Sequence, residues 1–191
     1  MKILRTLMLA SAAVTMLGAA SLATAVPGLA QMTKMVGGAE MFSTKNIIEN
    51  AVHSKDHTTL VAAVKAGGLV KTLEGKGPFT VFAPTNEAFA KLPAGTVDSL
   101  LEKKNKKKLV KILTYHVVAA NAMSDDIMKM VMDDGGAHKV KTVSGDWLTI
   151  KADGGTITVT DEMGQVANVT IADVAQSNGV IHVIDTVLLP K

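Results

Sequence analysis

The apolar residues of this 191-residue chain keep two periods in two regions. Between Asn46 and Leu113 most of them recur at helical spacing. Ile47, Ile48 and Val52 form one stripe, Leu60, Val61 and Val64 a second, and Leu109, Ile112 and Leu113 another. From Val140 onward the period is two, in Val140–Val143, Trp147–Lys151, Thr156–Thr160, Val166–Ile171 and Gly179–Leu189. Ser144-Gly145-Asp146 and Asp153-Gly154-Gly155 supply hairpin turns between these runs. Helices that come first and hairpin-linked strands that come second must share one core, which is an α+β arrangement.

Local signals punctuate this plan. Asp56 can cap the second helix, and Gly67-Gly68 stops it. A short helix is expected over Leu69–Leu73, and Gly77-Pro78 is a turn. Phe79–Ala83 is apolar on both faces except at Thr80, so it reads as a central strand that Pro84 ends. Thr85 can cap the following helix, with Glu87 in its first turn and Ala88, Phe89 and Leu92 facing inward. Further helices are expected over Val97–Leu101, Asn105–Leu113 and, capped by Ser124, Asp125–Asp133. Gly179–Leu189 reads as the last and longest strand.

The flanks set the compartment. Lys2 and Arg5 precede an apolar stretch from Leu7 to Leu22, and small residues around Gly28-Leu29-Ala30 offer a cleavage site. Residues 1–30 have the layout of a secretory signal peptide, 31–44 read as a flexible tether, and 45–191 as the folded domain. The expected location is secreted or periplasmic, with no span of the membrane once the signal is removed. Without Lys2 and Arg5, 18 basic groups face 17 acidic ones. The remainder contains no arginine and no cysteine, so it lacks the preferred fork for phosphate and guanine and forms no disulfide. Nucleic acid is therefore not an expected partner.

His182, three residues before Asp185, is the first candidate for chemistry. On a strand an odd offset places the two on opposite faces, so they form no dyad, and His182 reads as buried and neutral. Tyr115-His116 reads as a helix-to-strand junction whose polar groups satisfy buried backbone. Neither histidine belongs to a metal-ligand spacing. Lys103, Lys104, Lys106, Lys107, Lys108 and Lys111 alternate with an apolar stripe and read as a solvated face. Contact with an anionic polymer or with headgroups is the functional alternative. Ile127, Met128, Met130, Val131 and Met132 cover more than half of a helix circumference, which suits either core packing or a pliable apolar groove. Nucleophile-elbow, phosphate-loop and calcium-loop patterns are absent. An enzyme would need His116 or His182 beside a nucleophile such as Ser124, Ser144 or Ser177.

Together, "GPFTVFAPTNEAFAKLP" (Gly77–Pro93), Tyr115-His116 and "NGVIHVIDTVLLP" (Asn178–Pro190) resemble the two boxes and the Tyr-His element of the fasciclin (FAS1, beta-Ig-H3) domain family. The resemblance runs from about Ile47 to Pro190. It implies a wedge of mostly antiparallel strands packed against a layer of short helices, with no catalysis and no cofactor. It implies an extracellular or periplasmic module of cell adhesion or matrix contact that binds a protein or cell-surface partner. Phe79, Phe82, Pro84, Thr85, Phe89, Asn178, Gly179, His182 and Asp185 would be architectural. Tyr115, His116, Asp173 and Val174 match the positions linked to partner binding. Some members of the family carry carotenoid-like apolar ligands, and Met128, Met130 and Met132 would line such a groove here.

Overall fold

A computed structural model describes residues 33–191. The expected signal segment, residues 1–30, lies outside the described residues. Residues 33–42 are not a tether. β1 (Thr33–Val36) and β2 (Ala39–Phe42) form an antiparallel hairpin that turns at Gly37-Gly38. Val36 and Met41 are both about 1% exposed and join the main core. The run is too short and too polar for its period to show, but two inward side chains fix it.

The helical layer follows. α1 (Ile47–Ala51) carries a capping box: the Asn46 side chain accepts from the Ile48 and Glu49 amides, and Glu49 accepts from the Asn46 amide. A single 3-10 turn at Lys55–His57 leads into α2 (Thr58–Gly67), which Gly68 ends at φ 76°. Asp56 does not cap α2. The cap is Asn86, whose Oδ1 accepts from Thr59 N at 3.0 Å and from the Thr58 hydroxyl. α3 (Val70–Leu73) closes this part. β3 (Phe79–Pro84) leads directly to α4 (Asn86–Ala90), where the Thr85 hydroxyl accepts from Ala88 N as its sequence position predicts. α5 (Thr96–Leu101) and α6 (Lys106–Tyr115) pack beside α2.

The remaining elements are β4 (Val117–Val118), α7 (Ser124–Asp133), β5 (His138–Lys141), β6 (Trp147–Asp153), β7 (Thr156–Thr160), β8 (Val166–Gln176) and β9 (Gly179–Ile184). Seven strands form one sheet in the order β4-β3-β9-β8-β7-β6-β5. Only β3 and β9 pair in parallel; every other pair is antiparallel. β3 and β9 are the strands with apolar residues on both faces, and cores lie on both sides of them. Val81, Ala83, Ile181 and Val183 face the core under α1, α2 and α4–α6. Phe82 and Ile184 face a second core, which holds Leu148, Ile150 and Val159 beneath α7.

β9 ends at Ile184, five residues before the expected end, and β8 is the longest strand. Asp185 N still donates to the Asn168 carbonyl of β8, and farther on side chains take the amides. His116 Nε2 accepts from Leu188 N at 3.0 Å, and Asp161 Oδ2 accepts from Leu189 N at 2.9 Å. No helix among the described residues is long and apolar enough to cross a membrane.

If the 33–42 hairpin is structural, Met41→Ala should cost about 2–5 kcal/mol, the usual loss for a buried long side chain. Urea unfolding is the check; an unchanged midpoint would restore the tether reading.

Candidate functional site

His182 is fully buried, with its ring stacked on Phe82 at 5.8 Å between centroids. Its Nδ1 accepts from Asp173 N at 3.3 Å, so Nε2 carries the hydrogen and donates to the Ala122 carbonyl at 2.9 Å. Burial lowers its pKa and keeps the ring neutral. The bond to Asp173 exists because β8 is irregular there. Its register against β9 shifts between Ile171 and Val174, and Asp173 takes φ 56°, a conformation that Asp tolerates better than most residues. The shift aims the Asp173 amide at His182 and its carboxylate at the start of α7. There Oδ1 accepts from Ser124 N at 2.7 Å, and Oδ2 accepts from the Ser124 hydroxyl. Ser124 is thus the recipient of a cap rather than the cap itself.

Tyr115 and His116 form the second cluster, on the last turn of α6. The Tyr115 hydroxyl donates to the Trp147 carbonyl at 2.8 Å and accepts from Glu162 N at 3.1 Å, tying α6 to β6 and the β7–β8 turn. Burial pushes its pKa up to about 12. His116 Nδ1 donates to the Ile112 carbonyl at 2.8 Å, and burial pushes its pKa down to about 4. Asn178 is the third anchor. It accepts from Ile47 N and donates to the Leu73 and Gly75 carbonyls, joining α1, α3 and β9. Around it the two boxes touch backbone to backbone. A Cβ on Gly77 would lie 2.0 Å from the Asn178 carbonyl oxygen, and one on Gly179 would lie 1.9 Å from that of Phe79.

His182 and Asp185 do not meet. The Asp185 carboxylate accepts from the Asn168 amide and side chain and from Thr186, and Lys91 lies 3.7 Å away. Neither His116 nor His182 bonds a serine hydroxyl. A pair that the sequence reading overlooked does form: Ser54 Oγ and His57 Nδ1, 2.9 Å apart and both buried. Its only signal was a Ser three residues ahead of a His on a helical turn. The hairpin turn at Gly37 seals it, since Lys55 N donates to the Gly37 carbonyl. His57 Nε2 makes no hydrogen bond of normal geometry, although the Ala83 backbone lies near enough to favour its charged form. The ring lines an apolar internal cavity of about 40 Å³ with Ile47, Leu60, Val64 and Ile181. That volume holds a water-sized guest, not a polyene.

The three methionines do not converge on a groove. Residues two apart on a helix point about 200° apart. Ile127 and Val131 therefore take the buried stripe, Met128 and Met130 flank it on opposite sides, and Met132 is 78% exposed.

The chemistry that stays open to solvent lies on the outer face of β5–β8. Trp147, the chain's only tryptophan, is 48% exposed there. Register places Lys141 beside it on β5, with Lys139, Thr149 and Thr160 in the next row and Lys151 and Thr158 beyond. None of Lys139, Lys141 and Lys151 pairs with a carboxylate among the described residues.

The fasciclin domain model matches residues 55–190. This chain belongs to the fasciclin domain family. Protein sll1483 of Synechocystis is 46% identical over 174 residues, covering 91% of this chain and 89% of that protein. Immunogenic protein MPB70 of Mycobacterium bovis is 37% identical, covering 73% and 66%. The pig transforming growth factor-beta-induced protein ig-h3 is 41% identical over 131 residues, but they make up only 17% of its length. The solved FAS1 domain pair from the insect cell adhesion molecule fasciclin I superposes with a TM-score of 0.67 at 20% identity, covering 76% of this chain and 51% of that one, and shares the fold.

Within this fasciclin domain three of the four residues singled out for partner contact lie inside. Tyr115 and Val174 are fully buried, and His116 nearly so. The Asp173 carboxylate is committed to Ser124. Asp173 keeps part of its surface open, and the polar atoms of Tyr115, His116 and Asp173 hold the helices to the sheet.

The buried imidazoles set a pH dependence. An unfolded histidine takes its proton near pH 6.5, whereas folded His116 takes one only near 4. Stability should therefore be full above about 6.5 and fall as pH drops toward 4, by on the order of 3 kcal/mol from His116 alone. His57 and His182, also lowered by burial, act in the same direction. Urea unfolding across this range is the measurement, and a midpoint indifferent to pH would contradict the buried neutral rings.

Proposed function

We propose that this protein is a secreted, noncatalytic fasciclin module that binds a protein on a cell surface or matrix, and that it does so through the outer face of β5–β8. The observation that carries this reading is the exposure of Trp147 beside three unpaired lysines, in a molecule whose other rings are mostly packed inside. An exposed tryptophan offers a large, stiff apolar contact of the kind that dominates binding hot spots. The threonines and lysines around it supply a polar rim, and their charge favours a partner with an acidic surface. The groups a hydrolytic reading would recruit are engaged elsewhere: His116 and His182 on backbone atoms, and Ser124 on Asp173.

The family supports the adhesive part of the reading, since the insect protein that shares this fold is a cell adhesion molecule. The signal-like residues 1–30 support secretion. A noncatalytic binder needs a rigid frame under an exposed contact, and the Tyr115 hydroxyl supplies one by holding the Trp147 carbonyl from below.

Cells of the source organism should adhere to a surface coated with this protein. Trp147→Ala should lower that adhesion by about tenfold, as expected for loss of an aromatic anchor, while the melting temperature stays within a few degrees. Attachment that survives both Trp147→Ala and Lys139→Glu would refute this face as the contact.

A further inference from the structure

A second open feature lies where α5, α6 and the segment after β9 enclose a groove of about 340 Å³. Its floor is apolar, built from Leu100, Ile112 and Leu189, and Met163 stands at its edge with 64% of its surface exposed. Buried Asp161 fixes the wall. One carboxylate oxygen accepts from Met163 N at 2.9 Å, and the other accepts from Leu189 N at 2.9 Å. The groove is therefore held open by hydrogen bonds and is not a gap between mobile side chains. Its volume falls within the usual range of small-molecule sites.

The rim is cationic. The helical period sets Lys107, Lys108 and Lys111 on one flank of α6, with Lys106 on the other. Lys111 is occupied, because it donates to the Lys191 main-chain oxygen at 2.7 Å and lies 3.5 Å from Asp146. That pairs its ammonium with half-buried Asp146 and braces the wall. Asp161 is spent on backbone amides. Lys108 lines the groove with no carboxylate partner among the described residues, and Lys107 beside it is equally free.

An apolar floor beneath an unpaired ammonium is complementary to one ligand class. A polyanion would leave the floor unused, and a neutral lipid would leave the lysine unused. We propose that this groove binds a single-chain anionic amphiphile, a long-chain carboxylate. The tail covers Leu100, Ile112 and Leu189 under Met163, and the head pairs with Lys108. Lys191 borders both this groove and the Trp147 face, but binding in the groove does not depend on the adhesive reading.

Calorimetric titration of the purified protein with laurate, below its micelle-forming concentration, tests this. Binding should saturate, weaken with added salt, and exceed that of chain-matched dodecanol. Lys108→Glu and Met163→Asp change exposed residues, so thermal melts should stay unchanged while each weakens laurate by about tenfold or more, as loss of a charge pair or an apolar wall requires. Three outcomes would overturn the proposal. Laurate could bind no better than acetate, or both variants could bind like the wild type. Or phosphatidylglycerol vesicles could capture the protein without competition from laurate, which would make the lysine flank a bilayer contact instead.

Discussion

One neutral imidazole joins the two halves of this fold. His182 sits in the strand that separates the two cores, and its ring nitrogens reach two elements at once. On one side it satisfies the amide that the β8 bulge frees; on the other it holds the Ala122 carbonyl ahead of α7. A buried backbone group without a partner costs about 1–3 kcal/mol, so a ring that satisfies two at once is hard to replace. The bulge then has a second effect. It turns the Asp173 carboxylate onto the first turn of α7, where the helix dipole and the free amides favour negative charge. Strand, bulge, loop and helix form one chain of hydrogen bonds, and the placement of α7 over the second core follows from it.

The same logic governs the other polar residues inside. Tyr115 and Asn178 each connect three segments remote in sequence and His116 connects two, and each does so by meeting main-chain groups. Side chains committed in this way offer little to a substrate or a partner. The surfaces left for function are those the frame exposes, namely the Trp147 face of the sheet and the lysine-rimmed groove beside α6. Both depend on the interior network. Tyr115 holds the backbone of Trp147, and Asp161 holds the backbone of Met163 and Leu189.

Much of the architecture was legible in the residues. β3 was recognisable as central because both of its faces are apolar. Thr85 and Gly68 were recognisable as the start and stop of helices because their roles are local. The offset of three kept His182 from Asp185. What escaped were the caps and ends supplied from afar. Asn86 caps α2 from 27 residues away, and Asp173 caps α7 from 49 residues away. β9 stops early, and the chain past it is held by His116 and Asp161, which take the amides of Leu188 and Leu189. The hairpin at residues 33–42 escaped because four-residue strands carry too little period to stand out from a loop.

Three of the candidate contact residues, Tyr115, His116 and Val174, lie buried for a related reason. Sequence position places Tyr115, His116, Asp173 and Val174 near the boxes, but it does not say which way they point once helix and sheet meet. The order of amino acids by itself determined an α+β domain with a central strand at Phe79–Ala83 and a sealed histidine on its last strand, because period along a single element reports which faces are buried. Only the tertiary structure decided which carboxylate meets which helix, where the last strand stops and which aromatic ring is left in water. Those outcomes depend on packing between segments that no local pattern relates.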